Sequence, residues 1–576
     1  MKSKSILFSL FAAALVLFSS CCESKYAVVP QPESIKGSCF GYKVSSVIKA
    51  SAADEALKSV ALTWGEMLVK THKTPGVDST VANHVRITSD VQLPTVEWVA
   101  NVDDADLVLA VDTTLAADCY QLKISCKGIC VKGGAPQAIF WGLQSLTQIL
   151  LQEEADAEGA RKLDGVSIVD SPKFAHRGAL LDCCRHFFSV EEVKEFIDML
   201  ALNKMNIFHW HLTEDQGWRI EIKKYPRLTT IGSVRAQTVV GRHQKNPADN
   251  VYDGVQYGPY FYTQEQAKDI VAYAAARFVT VVPEIEIPGH NLGAIASYPK
   301  LSCHNSKVNV WCHWGVSKEG VVCASKEYTY QFFQDVLDEI CEIFPSEYIH
   351  IGGDEAPRDM WKTCPSCQKL MKKNGYESEA QLQTYVLQRI EKYLNDKGRK
   401  IIGWDEVLEG GVTPSATVMA WRGPKYGIQA AKQGNDVIMT PKTHCYLDYH
   451  HTVNPDKYKE NLGTYKHYLP LQQCFDFDPF DELNEEECKS IKGLQGNIWC
   501  EFIKTFDHVQ FMTLPRLAAL AEVAWCKNKT TYDCFHARME KAMIPAYQYH
   551  GYVYAPYAFD GTEKYKFPHE EFVRPL

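Results

Sequence analysis

The sequence predicts an α/β protein: a (β/α)8 (TIM) barrel preceded by a small α/β domain. Two observations carry this. From Ser171-Pro172 onward, eight short apolar runs alternate with helical patterns, as strands and helices do in a closed parallel barrel. No Gly-x-Gly-x-x-Gly follows the first run, so an open dinucleotide-binding sheet has no support. The runs are Arg177–Cys183, Met205–His211, Val279–Ile285, Tyr348–Ile351, Lys400–Trp404, Thr417–Trp421, Asp436–Met439 and Gly493–Trp499. Between several of them, Val190–Leu202, Gln264–Arg277, Glu327–Ile343 and Glu379–Lys397 read as helices.

In chain order, Lys2 and Lys4 precede an apolar stretch from Ile6 to Phe18, followed by Ser19-Ser20-Cys21. Residues 1–21 therefore read as an export signal, whose apolar run is too short for a membrane span of about 20 residues. The Phe-Ser-Ser-Cys ending resembles a bacterial lipoprotein signal, in which the cysteine is acylated after cleavage. The expectation is a bacterial envelope protein that meets the membrane only through a lipid on Cys21, with plain secretion as the alternative. Residues 22–170 read as a small N-terminal α/β domain without obvious chemistry, expected to be non-catalytic, with strand-like runs such as Leu107–Val111 and Tyr120–Ile124. After Gly133-Gly134, the segment Ala135–Leu151 places Ile139, Phe140, Leu143, Leu146 and Leu150 at helical spacing, the pattern of an amphipathic helix. Residues 171–576 hold the barrel and a C-terminal tail.

The 576 residues are 46% hydrophobic and 23% charged, a soluble globular composition. The net charge of -9 is spread without a basic block, which excludes an electrostatic footprint for nucleic acid. Twenty cysteines suit an exported protein. Cys364-Pro365-Ser366-Cys367 is a zinc-like half-site, but no second Cys-x-x-Cys and no suitably spaced histidine pair completes it. A local disulfide or free thiols are expected there, and no metal or other cofactor.

The predicted strand ends carry the chemistry. The fourth runs through His350 and Ile351 into Gly352-Gly353-Asp354-Glu355. Glycines let a ligand approach the backbone, and two adjacent carboxylates cannot both ionise freely. The plain alternative is a helix N-terminus, where carboxylates are favoured by the dipole. Other ends bring Arg177, His209-Trp210-His211 with Glu214-Asp215, then Glu284, Glu286 and His290, and Trp404-Asp405-Glu406. Trp421-Arg422, Tyr446-Leu447-Asp448, and Trp499 with Glu501 complete the rim. Carboxylates among tryptophans suggest a carbohydrate pocket, because indoles stack on the apolar faces of sugars while charged groups bind hydroxyls. A rival is a metal hydrolase built on His209-x-His211, whose side chains alternation points the same way. The other nitrogen ligands such a site needs are not evident.

The ordered motifs His176–Asp182, Asn206–Arg219, Pro283–His290, His350–Glu355 and Gly403–Glu406 resemble those of the family 20 glycoside hydrolases, the β-N-acetylhexosaminidases. The resemblance covers nearly everything after the signal. It implies an exo-acting, retaining hydrolysis of terminal GlcNAc or GalNAc from glycans, in which the substrate's own acetamido oxygen is the nucleophile and an oxazolinium ion the intermediate. It implies Glu355 as general acid and base and Asp354 as the group that orients the acetamido N–H. Tyr446 would bind the acetamido carbonyl, and Trp404, Trp421 and Trp499 would wall that group. Arg177, Asp448 and Glu501 would hold hydroxyls. His290 would sit beside the acid and raise its pKa, braced by Glu214, with Asp215 or Glu286 as alternatives. A non-catalytic glycan-binding protein is the other class of answer, and retention of both Asp354 and Glu355 weighs against it.

Overall fold

The computed structural model describes residues 24–69, 89–241, 247–452 and 467–559. The expected signal and Cys21 lie outside them. Strands β1 (Ser34–Val44), β2 (Val47–Ala52), β3 (Thr95–Trp98), β4 (Leu107–Val111), β5 (Tyr120–Ser125), β6 (Gly128–Gly133) and β7 (Arg161–Asp170) form one mixed sheet, in the order β1-β7-β5-β6-β4-β2-β3. Alternation explains its inner face: β5 buries Tyr120, Leu122 and Ile124.

The helix Pro136–Leu151 packs on this sheet, but it is not amphipathic in its surroundings. Every residue from Ala138 to Leu150 is buried, because the face turned away from the sheet meets the barrel, where Trp141 packs edge-on to Trp525 at 5.4 Å. Its polar residues are satisfied, as burial requires. Gln148 accepts from the Val29 N–H at 2.8 Å and donates to the Val29 carbonyl at 2.6 Å, and Thr147 accepts from the Trp64 indole at 2.8 Å.

The barrel comprises β8 (His176–Asp182), β9 (Ile207–His211), β12 (Thr280–Glu284), β13 (Tyr348–His350), β14 (Lys400–Trp404), β15 (Thr417–Ala420), β16 (Val437–Met439) and β17 (Ile491–Ile498), closed by parallel pairing of β17 with β8. A hairpin of two short strands, β10 (Thr213–Glu214) and β11 (Gly217–Trp218), follows β9. All eight expected strands are present, with ends shifted by a residue or two. The hairpin is too short to leave a periodic trace. Leu180, Val282, Ile402, Trp404, Met419 and Ile438 fill the interior, so the barrel is a packed core that offers its C-terminal rim for chemistry. Capping boxes start the helices Val190–Leu202 (Ser189 with Glu192) and Gln264–Ala275 (Thr263 with Gln266).

Two expectations fail here. Arg177 does not reach the rim, because it is the second residue of β8 and lies at the opposite end of the barrel. Its guanidinium stacks on Trp141 and Trp525 at 4.7 and 5.0 Å and donates to the carbonyls of Lys204 at 3.0 Å and Phe174 at 2.8 Å. Together with the buried Lys204–Asp170 pair at 3.2 Å, it fastens the barrel to the first domain. The Cys364-x-x-Cys367 half-site is also not alone. Cys303 and Cys323, from a different loop and without a spacing signature, bring the four Sγ atoms within 4.8 Å of one another.

Candidate active site

Beyond β13 the chain turns at Gly352 and Gly353, with φ of 63° and 93°. A Cβ at Gly352 would overlap the Glu286 carboxylate, so only glycine lets this turn form. Asp354 and Glu355 then face a pocket at the C-terminal rim. They do not cap a helix, since the nearest one begins at Asp359. Glu355 and His290 both hold positive φ, 42° and 50°, a conformation that side chains other than glycine adopt rarely and that clusters at functional sites.

His290 joins the elements. Its Nδ1 lies 2.6 Å from Glu214 Oε1, and its Nε2 lies 3.5 Å from Asp354 and 3.6 Å from Glu355. Of the three candidate braces, only Glu214 makes this contact. Asp215 instead accepts the backbone N–H groups of Leu292 at 2.9 Å and Ser317 at 3.0 Å. Glu286 Oε2 has no hydrogen-bond partner among the described residues. Glu214 is itself held by Arg185 at 2.9 Å and His211 at 3.2 Å.

Burial alone would discharge His290, but the Glu214 and Asp354 carboxylates outweigh it and hold the imidazolium well above its ordinary pKa. Burial would likewise raise Glu355, yet contact with the cationic His290 wins and keeps its carboxyl below the usual range. The expectation that His290 raises the acid's pKa is therefore reversed in the free protein, since a cation stabilises the carboxylate. Burial, and then the charge of Asp354, push Glu286 and Glu406 well above the usual range. Burial raises Asp215 to about 7. Glu214, by contrast, is held below the usual carboxylate range by Arg185 and His290 despite its burial.

The pocket holds about 270 Å³ and is bounded by Trp404, Trp421, Trp499 and Tyr446. Trp404 is buried, donating its indole N–H to Glu284 at 2.7 Å. Trp421 donates to Glu406 at 2.9 Å and lies nearly parallel to Tyr446, with ring centroids 6.1 Å apart. Asp448 and Glu501 line the same cavity, and burial, together with their mutual repulsion at Asp448, raises both. Asp354 Oδ1 is buried without a hydrogen-bond partner among the described residues.

The structure thus gathers Glu214, Asp354, Glu355, Trp404, Trp421, Tyr446, Asp448, Trp499 and Glu501 on one cavity, with His290 behind the carboxylate pair. Arg185 is the arginine that lines the cavity where Arg177 was expected. Its place three residues past the end of β8, on a βα loop, is a signal that could have found it. Lys442, Tyr449 and His467 also line the cavity; Lys442 opens the one-turn helix Lys442–Cys445 and the other two lie on irregular segments, so none leaves such a trace. Neither His209 nor His211 lines the cavity. They point inward, where Glu284 lies 3.1 Å from His209 and 2.9 Å from His350 and also contacts His211.

The family model described as glycosyl hydrolase family 20, domain 2, matches residues 25–171, and that of the family 20 catalytic domain matches residues 174–528. A β-hexosaminidase of Porphyromonas gingivalis is 39% identical over 528 residues, which are 90% of this chain and 63% of that protein, so the chain spans less than two thirds of this relative. A β-hexosaminidase of Vibrio furnissii is 35% identical over 73% of this chain and 67% of its own length. Among solved structures, the exo-β-N-acetylglucosaminidase of Vibrio harveyi in complex with N-acetylglucosamine superposes with a TM-score of 0.76 at 28% identity, covering 93% of this chain and 79% of that one. The β-N-acetylhexosaminidase of Bacteroides fragilis gives 0.74 at 28% identity, with 92% and 97% covered. With both domains matched in order and the carboxylate pair on the barrel's rim, the chain belongs to glycosyl hydrolase family 20.

Proposed function

We propose that the protein is an exo-acting, retaining β-N-acetylhexosaminidase that removes terminal GlcNAc or GalNAc from glycans with the substrate's acetamido oxygen as nucleophile. The observation that carries this is Asp354: one oxygen beside the imidazolium of His290, the other a buried acceptor with no partner among the described residues, in an aromatic-walled cavity. Such a carboxylate accepts an amide N–H and stabilises positive charge as it develops on that amide. A cavity of about 270 Å³ with a tryptophan floor suits one sugar unit at a chain end.

In this scheme the acetamido carbonyl oxygen attacks C1 as Glu355 protonates the departing glycosidic oxygen. Glu355 then takes a proton from water, which attacks C1 and reopens the oxazolinium ring, so two displacements retain configuration. Tyr446 and the three tryptophans hold the acetamido group against C1, which makes the attack intramolecular. Arg185, Asp448 and Glu501 lie where sugar hydroxyls would sit.

The pH profile follows from the charges. The reaction needs Glu355 protonated and Asp354 ionised, so kcat/KM should be bell-shaped. Because His290 holds Glu355 low, the alkaline limb should begin on the acid side of neutrality. Replacing Glu214 by Gln removes a carboxylate whose charge raises both His290 and Glu355. While Asp354 keeps His290 protonated over the range where Glu355 titrates, the alkaline limb of Glu214→Gln should move to lower pH, and a limb that moves higher would contradict a charged His290.

The two arginines separate cleanly. Arg177→Met should lower unfolding stability by roughly 1.5–3 kcal/mol through its lost charged hydrogen bonds and leave KM near wild type. Arg185→Met should change kcat/KM strongly. Denaturant titration with steady-state kinetics on an aryl N-acetyl-β-glucosaminide checks both, and a large KM effect from Arg177→Met would return that residue to the pocket.

A further inference from the structure

We propose that Cys303, Cys323, Cys364 and Cys367 bind one zinc ion as a structural tetrathiolate, which ties the loop after β12 to the loop after β13. The separations that the structure defines are those of a metal site. Cys367 Sγ lies 3.9 Å from Cys303 Sγ and 3.6 Å from Cys323 Sγ, and all four sulfurs fall within 4.8 Å of one another. With Zn–S bonds of about 2.3 Å, the sulfurs of a regular tetrahedron stand roughly 3.8 Å apart. A disulfide needs about 2.05 Å and selects one partner, whereas Cys367 is shared between two. Cys323, Cys364 and Cys367 are buried and Cys303 is partly so.

The surroundings suit thiolates. Ser325 Oγ lies 3.3 Å from Cys323 Sγ and 3.5 Å from Cys367 Sγ, and Ser366 Oγ lies 3.1 Å from Cys364 Sγ. The two hydroxyls are 2.8 Å apart, so one network of donors reaches three of the sulfurs, as outer partners of metal ligands commonly do. The backbone is equally fixed. The Cys323 N–H donates to the Leu301 carbonyl at 2.7 Å, and the Trp361 indole donates to the Val322 carbonyl at 2.9 Å. Cys364 precedes Pro365 at the start of the helix Pro365–Asn374, which places Cys367 in its first turn. Binding would release the thiol protons, with Zn²⁺ and four Cys–SH giving Zn(S-Cys)4²⁻ and four H⁺.

The four cysteines do not line the cavity, so the ion has a positioning role. Along the chain, Cys303 and Cys323 follow His290 and Cys364 and Cys367 follow Glu355, both of which hold positive φ.

The test is metal analysis of the full-length enzyme, purified without chelator from cells supplied with zinc, together with peptide mapping of alkylated cysteines. About one zinc per chain is expected. All four cysteines should react with iodoacetamide only after denaturation with chelator, and Cys303→Ser and Cys364→Ser should each lose at least nine tenths of the metal. Replacing zinc by Co²⁺ should give the sulfur-to-cobalt charge-transfer absorption of a tetrathiolate. Should the serine variants fail to fold, wild-type metal content and peptide mapping still decide. Disulfides among these cysteines, or four free thiols with less than about a tenth of a zinc per chain, would overturn the proposal.

Discussion

Glu355→Gln should cut kcat/KM by about 10²–10⁴-fold on N-acetylhexosaminides whose leaving group is another sugar, the range general acid catalysis contributes. On an aryl glycoside with an acidic phenol the loss in the glycosylation step should be far smaller, because that leaving group needs little protonation. The contrast is what assigns the role. Glu355 sits half exposed at the mouth of the cavity, 3.6 Å from His290, where a departing aglycone would lie. A uniform loss across leaving groups would take the acid role from Glu355. The same substitution removes the group whose loss of a proton makes the alkaline limb of the pH profile, so that limb should flatten as well.

Asp354→Asn should lower kcat by about 10²–10³-fold, comparable to removing a preorganised group that meets charge only in the transition state. KM should change much less, since an asparagine still fills the space and retains a carbonyl for the acetamido N–H. The substitution has a second readout. The charge of Asp354 helps to hold Glu286 and Glu406 well above the usual carboxyl range and His290 in its cationic form. In the variant, those two carboxyls should titrate at lower pH, and His290 should lose its proton more readily. Direct titration by NMR checks the shifts. A variant with wild-type kcat would mean that no charge develops beside Asp354.

Much of this was legible in the sequence, for physical reasons that differ by residue. The barrel strands are short apolar runs, and burial on both sides makes them readable without a partner. Asp354, Glu355 and the tryptophans stand at or just past strand ends, where position alone fixes the face; Tyr446 follows β16 only after the short helix Lys442–Cys445. Arg177 shows where that logic slips. It is the second residue of β8, and from it to Asp182 the strand rises about 3.3 Å per residue, which separates it from the rim by roughly 17 Å. Arg185 enters from the loop instead. The four cysteines were illegible because two of them come from a segment with no pattern of its own, and only the folded loops bring them to Cys364 and Cys367. The direction of the Glu355 shift depended on whether His290 carries charge, which is decided by Glu214 and Asp354 across three elements. The helix Pro136–Leu151 looked amphipathic because it carries polar residues, which are in fact buried and bonded to Val29 and Trp64.

The claim that the substrate supplies the nucleophile is tested most directly by kcat/KM across aryl N-acyl-β-glucosaminides bearing acetyl, fluoroacetyl, difluoroacetyl and trifluoroacetyl groups. Each fluorine withdraws electron density from the carbonyl oxygen that must attack C1, so the logarithm of kcat/KM should fall steeply and steadily along the series, and less steeply in Asp354→Asn. A series with no slope, together with a glycosyl-enzyme trapped on a carboxylate, would contradict it.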